Sequence, residues 1–144
     1  APPGRSAGRL MVATVQGDIH DIGKNITKCI LENYGFQVLD LGRDVPIETV
    51  AETAAREKIR LVGLSALMTT TLPSMEKTIR ALRRAAPDCR IFAAGAVLTP
   101  DYAREIGADY YAKDAKQAVD IAKLVLEQKN EPDSGTDQDP APAV

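Results

Sequence analysis

The sequence has no apolar run near the roughly 18–20 residues that a membrane-crossing helix needs. The longest, such as 61–68, stop at less than half of that, so no bilayer span is expected. It has no basic block either. Eighteen Lys and Arg stand against 20 Asp and Glu, a formal net charge of −2, which favours neither nucleic acid nor an anionic membrane surface as a partner. There are two cysteines, Cys29 and Cys89, with no Cys-x-x-Cys pair and no disulfide framework, which fits a reduced, cytoplasmic compartment. His20 is the single histidine, and no thiolate cluster accompanies it, so a zinc or iron site built from protein ligands alone would be short of donors. No signal peptide opens the chain. It starts on Ala1 rather than Met, which reads as a processed chain or an excised piece of something longer.

The 144 residues suffice for one domain with a hydrophobic core. Residues 1–8 are rich in Pro, Gly and Ser and read as a linker. Residues 130–144 are acidic and Pro-containing, lack periodicity, and read as a disordered tail, which leaves 9–129 as the folded domain. Within that span, apolar runs of strand length alternate with segments of helical period: 10–15, 22–33, 36–41, 46–58, 61–65, 73–86, 90–94, 100–106, 108–112 and 114–128. Ile22, Ile26, Cys29 and Ile30 share one face of the first helix. Met75, Ile79, Leu82 and Ala86 do so in the third, and Ala115, Ala118, Ala122 and Val125 in the last, and each face can cover a sheet. Pro46, Pro73 and Pro100 fall at first helical turns, and Gly35 follows the first helix. Strands that are nearly continuous apolar runs indicate a parallel sheet covered on both faces. The expected fold is therefore an α/β, flavodoxin-like (Rossmann-like), doubly wound five-stranded parallel sheet of order 2-1-3-4-5.

Such sheets bind ligands beyond the carboxyl ends of the strands, at the switch point between the first and third strands. Two loops lie there in sequence. One runs Gln16, Gly17, Asp18, Ile19, His20, Asp21, Ile22, Gly23, and the other runs Ser65, Ala66, Leu67, Met68, Thr69, Thr70, Thr71. Ala94, Gly95 and Ala96, with Ala112 to Ala115, would form the remaining wall, and since almost all of these are small or polar they leave room for something large. An imidazole on such a loop reads as metal ligand, general base or solvated bystander. Asp18, two residues before His20, favours the first reading, because an acceptor on one ring nitrogen leaves the other lone pair free for a metal. With no further protein ligands at hand, any metal would arrive in a macrocycle. Ser65, Thr69, Thr70 and Thr71 could extend the hydrogen-bond chain from Asp18, or simply cap the next helix.

Asp18-Ile19-His20-Asp21-Ile22-Gly23 resembles the Asp-x-His-x-x-Gly signature of cobalamin (B12)-binding domains. The 41 residues from 24 to 64 then separate it from Ser65-Ala66-Leu67, which is similar to that family's Ser-x-Leu element. A further 26 residues, 68 to 93, lead to Ala94-Gly95, where the family usually has Gly-Gly; the methyl at position 94 would tighten the slot there. The resemblance covers about residues 9 to 128, and the fuller stretch from Gly17 to Asn25 looks like methionine synthases and the corrinoid proteins of methyltransferase systems. It implies a cofactor bound base-off and His-on, with His20 as the lower axial ligand of cobalt, Asp18 on its other nitrogen, and Thr71 completing the chain. It also implies contacts from Ser65 and Thr69 to the displaced nucleotide tail, with backbone clearance at Gly23, Gly95 and Ala96. The implied role is a methyl carrier, non-catalytic on its own, whose cofactor alternates between methylcobalamin and cob(I)alamin as methyltransferase domains or subunits give and take the methyl group.

The family's methyl-transfer members carry a helical cap domain ahead of this one, and the short segment before the first strand implies that a cap is removed, on another chain, or never present. The competing expectation is a cobalamin-dependent sensor or regulatory module. A phosphorelay receiver would need an Asp where Ser65 stands, and a flavin carrier would need a phosphate cradle that the first loop lacks. Cys29 and Cys89 read as packing residues, Tyr110 and Tyr111 as strand filler, and Arg83-Arg84 as a solvated helix end.

Overall fold

The structure, a computed structural model, describes residues 8–127. Five parallel strands, β1 (Gly8–Thr14), β2 (Phe36–Asp40), β3 (Leu61–Ser65), β4 (Arg90–Ala94) and β5 (Tyr110–Ala112), form one sheet in the order β2-β1-β3-β4-β5. The expected flavodoxin-like order is the observed one. Four helices, α1 (Ile22–Asn33), α2 (Ile47–Arg56), α3 (Leu72–Ala85) and α4 (Pro100–Glu105), make the crossovers; α5 (Ala115–Ala122) follows β5, and a π-helical turn, Lys123–Glu127, extends it. No helix among the described residues is long and apolar enough to cross a membrane.

Alternation along the strands splits the core into two layers. Met11, Ala13, Val62, Leu64, Ile91 and Ala93 point to the face covered by α2, α3 and α4, where Val50, Ala54, Met75, Ile79, Leu82 and Ala103 meet them. Leu10, Val12, Leu61 and Phe92 point to the other face, under Leu31 of α1 and Ala118, Val119, Ile121 and Ala122 of α5. Each of these large side chains is essentially inaccessible, and burial of one contributes about 1.5–3 kcal/mol. The punctuation read from sequence holds: Pro46 precedes α2, Pro73 and Pro100 lie in first turns, and Gly35 leaves α1 with φ +95°. Thr99 and Asp114 cap α4 and α5 by accepting the amides of Tyr102 and Gln117.

Four expectations are corrected. β1 begins at Gly8, inside the segment read as linker, while residues 1–7 and the tail at 130–144 lie outside the described residues. Several elements are also shorter than read, notably β5, which starts at Tyr110 rather than Ala108. Arg83 is not a solvated end, since it donates to the carbonyls of Cys89 and Gly107 and to Asp109 Oδ2 at 2.9 Å, tying α3 to the starts of β4 and β5.

The fourth correction bears on function. The face carrying Ile22, Ile26 and Cys29 does not cover the sheet: Ile22 is 77% exposed, Ile26 is 54% exposed and Cys29 is exposed, while Lys24 and Leu31 are the buried residues of α1. Cys89, by contrast, is a buried packing residue whose thiol is pushed up to about 11 by burial. A maleimide titration of the native chain at pH 7.5 should therefore modify one thiol, Cys29, and reach the second only after unfolding; two fast-reacting thiols in the native state would contradict this packing.

Candidate functional site

The loop after β1 is built around one carboxylate. Asp18 is fully buried. Its backbone N–H closes a turn onto the Val15 carbonyl at 3.0 Å, which turns the side chain inward. Oδ1 accepts the His20 amide at 3.0 Å and faces His20 Nδ1 at 2.8 Å. Oδ2 accepts the amides of Leu67 at 2.8 Å and Met68 at 3.2 Å and the Thr71 hydroxyl at 2.7 Å. Both oxygens are thus saturated with donors, and the two switch-point loops are joined through one residue. Burial by itself would raise the Asp18 pKa. The bonds from His20, Leu67 and Thr71 outweigh it and hold the carboxyl well below the usual carboxylate range, so Asp18 is an anion at neutral pH. An anionic acceptor requires a proton on Nδ1, so in the neutral ring the lone pair falls on Nε2 of His20. That side chain is 43% exposed.

The hydroxyl-rich turn divides between the two readings it allowed. Thr71 sits where it could cap α3 but makes no capping bond. Its hydroxyl lies instead between Asp18 Oδ2 and the Met68 carbonyl, at 2.7 and 2.9 Å. Ser65 pairs with the Thr14 hydroxyl at 3.0 Å rather than with Asp18, and Thr69 lies exposed in the turn Thr69–Thr71.

A cavity of about 800 Å³ opens beside this loop and runs over the sheet between α1 and α5, at the large end of the range for ligand sites. Ile19, His20, Asp21, Ile22, Gly23, Ser65, Leu67, Gly95, Ala96 and Ala115 all line it. Asp18, Gly17, Thr69 and Thr71 stand outside the lining. Ile19, Ile22, Ile26 and Leu67 account for four of the five large exposed apolar side chains among the described residues, so the cavity is edged by apolar surface without a protein partner. Gly23 lies in the first turn of α1 with nothing within 4 Å of the place a Cβ would take, so protein packing does not call for its bareness. At Gly63 the Phe92 ring lies over the Cα, where a Cβ would be 2.3 Å from it; the two residues shape the cavity wall on the α1/α5 side of the sheet.

Sequence reasoning missed Lys24, Arg43 and Phe92 as lining residues. Lys24 is the least obvious. Its side chain is 3% exposed, and its ammonium donates to Asp40 Oδ1 at 2.7 Å and Asn25 Oδ1 at 2.9 Å. A charged residue amid an apolar helical pattern ordinarily reads as solvated, and only its partner at the end of β2 reverses that reading. Among the described residues no cluster of three or more His, Cys, Asp or Glu could hold a metal ion.

A single oriented imidazole on a large apolar-edged cavity at the switch point of a doubly wound sheet defines a domain that binds a bulky cofactor bringing its own metal. Residues 8–120 match the B12 binding domain family, and the chain belongs to it; its cofactor is cobalamin. Over 130 residues the chain is 42% identical to dimethylamine corrinoid protein 1 of Methanosarcina acetivorans, covering 87% of this chain and 61% of that protein's length. It superposes on the monomethylamine corrinoid protein of Methanosarcina barkeri with a TM-score of 0.77 at 35% identity, covering 83% of this chain and 58% of that one. For a chain of the methanol:cobalamin methyltransferase complex of the same organism the TM-score is 0.80 at 31% identity, covering 85% and 47%. The chain thus spans about half to three fifths of the length of these relatives. The apolar edge, the bare Gly23 and the lone imidazole all fit a corrinoid.

Proposed function

We propose that the chain holds cobalamin base-off, with His20 as the lower axial ligand of cobalt, and carries a methyl group between methyltransferase domains or subunits. The observation that carries this reading is the 2.8 Å contact between His20 Nδ1 and Asp18 Oδ1, which commits the ring proton to Nδ1 and turns Nε2 into a donor. Asp18 accepts the hydrogen bond from Nδ1 and Thr71 donates to Asp18, so the basicity of Nε2 is set from behind. Ile19, Ile22 and Leu67 offer apolar contact to the corrin ring. Ser65, Gly95, Ala96 and Ala115, with the backbone around Asp21 and Gly23, take up the displaced nucleotide tail and its attachment, whereas Gly17 and Thr69, outside the cavity wall, do not touch it. Cobalamin supplies the group-transfer chemistry when bound, accepting a methyl group from one donor and yielding it to an acceptor. The names of the methylamine and methanol relatives support the assignment to a methyltransferase system; a helical cap domain is a further partner in this reading.

The test is the EPR spectrum of the chain loaded with cob(II)alamin, recorded with natural and ¹⁵N-histidine protein. Superhyperfine splitting that changes on ¹⁵N labelling and disappears in His20→Ala is the expected result. Splitting from the cofactor's own benzimidazole in the wild type would overturn the assignment.

A further inference from the structure

We infer that Asp44 is a positioning residue for His20, acting through the backbone of residues 17 and 18; this rests on the reading of His20 as the cobalt ligand. The loop that carries His20 has little packing of its own. Gly17, Ile19 and His20 are exposed, and only the Asp18 carboxylate is anchored to the opposite loop. What grips the backbone is the segment after β2. Asp44 Oδ1 accepts the Gly17 amide at 2.7 Å, and the Asp44 amide donates to the Asp18 carbonyl at 2.9 Å, so one residue clasps both sides of the turn that leads into His20. Val45 continues the grip, pairing with Val15 and donating to the Thr14 carbonyl at 3.2 Å.

The last residue of β2 holds the far end of the loop, where Asp40 Oδ1 accepts from the Lys24 ammonium in the first turn of α1 and from the Gly42 amide. Asp44 also stands in the left-handed region, with φ 51°. Lys58, the other non-glycine residue there among the described residues, simply follows the end of α2. No helix end explains Asp44. Aspartate is among the few residues that tolerate this conformation, and at Asp44 it brings amide and carboxylate together onto residues 17 and 18. The distance from the loop tip to its support is therefore set by β2 and the turn after it, outside the loop and the cavity wall alike: Asp44 is not among the residues lining the cavity.

The experiment compares wild type, Asp44→Ala and Asp44→Asn in the full chain, reading cobalamin affinity by absorbance, the share of protein-nitrogen splitting in the cob(II)alamin EPR spectrum, and the thermal midpoint. Asp44 is exposed, so Asp44→Ala should fold, bind cobalamin about tenfold more weakly and lose much of the protein-nitrogen signal, as expected for a loop that has lost a charge-assisted hydrogen bond. Asparagine keeps an acceptor oxygen and accepts the left-handed conformation, so Asp44→Asn should recover to within about threefold of wild type. An alanine variant with wild-type affinity and spectrum, or an asparagine variant as impaired as the alanine one, overturns the inference. So does fast exchange of the Gly17 and Asp44 amides in the cofactor-free wild type, a measurement that needs no variant to fold. If wild type itself has no protein nitrogen on cobalt, the reading of His20 fails instead.

Discussion

Gly95→Ala should lower the thermal midpoint of the cofactor-free chain by on the order of 15 °C and leave a protein that no longer binds cobalamin well. Gly95 has φ +136°, and a Cβ built on it would lie 1.8 Å from the Ala66 carbonyl oxygen and 2.9 Å from its carbon. Both sides of that contact are backbone, so no rotamer change relieves it. The two segments would have to part by about 1.5 Å to reach a tolerable carbon–oxygen separation. They are joined there by the Ala66 amide donating to the Ala94 carbonyl at 3.1 Å, one step beyond the Ser65–Ala94 pair of the ladder. The forbidden φ and the overpacking together cost on the order of 4 kcal/mol, against a total stability of roughly 5–15 kcal/mol for a domain. At about 4 °C per kcal/mol for a chain of this size, that gives the shift named. The functional loss has a separate route. Ala66 is followed by Leu67, whose amide is one of the anchors of Asp18, so displacing residue 66 unsettles the support of His20. An unchanged midpoint, followed by circular dichroism, would show that β3 and β4 do not approach this closely. At the neighbouring position, where the departure from Gly-Gly falls, Ala94 lines the cavity and is half-buried.

The fold was legible because it rests on signals that need only short windows. Apolar runs of strand length, 3.6-residue periodicity in α3 and α5, and proline at three helix starts all report local preference, and burial on both faces of a parallel sheet reinforces them. Helix α1 shows where this reasoning stops. Its apolar positions at 22, 26 and 29 have good helical spacing, but spacing reveals only that a face is apolar, and here that face edges a cavity while Lys24 packs inward. The site divides along the same line. Asp18 and His20 were legible because they are two residues apart, and the role of Thr71 was legible as one of several possible hydroxyls. The Lys24–Asp40 pair and the clasp of Asp44 on Gly17 span 16 and 27 residues, and no local pattern announces them. The clamp of Arg83 on Asp109 was lost for the same reason, since a basic residue in the last turn of a helix is already explained by the helix dipole.

Asp18→Asn, though nearly isosteric, should cost about 3 kcal/mol of stability and lower cobalamin affinity by roughly 10–100-fold, the range seen when the partner of a metal-bound histidine is altered. The carboxylate accepts on both oxygens, from His20 on one and from Leu67, Met68 and Thr71 on the other. An amide has one acceptor and two donors, so either orientation sets N–H against N–H or O–H in a buried space, and each buried donor left without an acceptor costs about 1–3 kcal/mol. Relief from burying a charge offsets part of this. The pH dependence separates a loss of acceptors from a mere change of shape. Burial would raise the Asp18 pKa, but the bonds from His20, Leu67 and Thr71 bring the folded value below the unfolded one, which is near 4. A carboxyl lowered on folding contributes its stability in full above the unfolded pKa and loses it as pH falls through the folded value. Protonated Asp18 resembles asparagine in having a donor where an acceptor is needed, so urea midpoints of the two proteins should differ fully at pH 7 and converge below about pH 4. A gap that stays constant down to pH 2, or no gap at pH 7, would mean that Asp18 does not hold the two loops together as an anion, and that the orientation of His20 has another source.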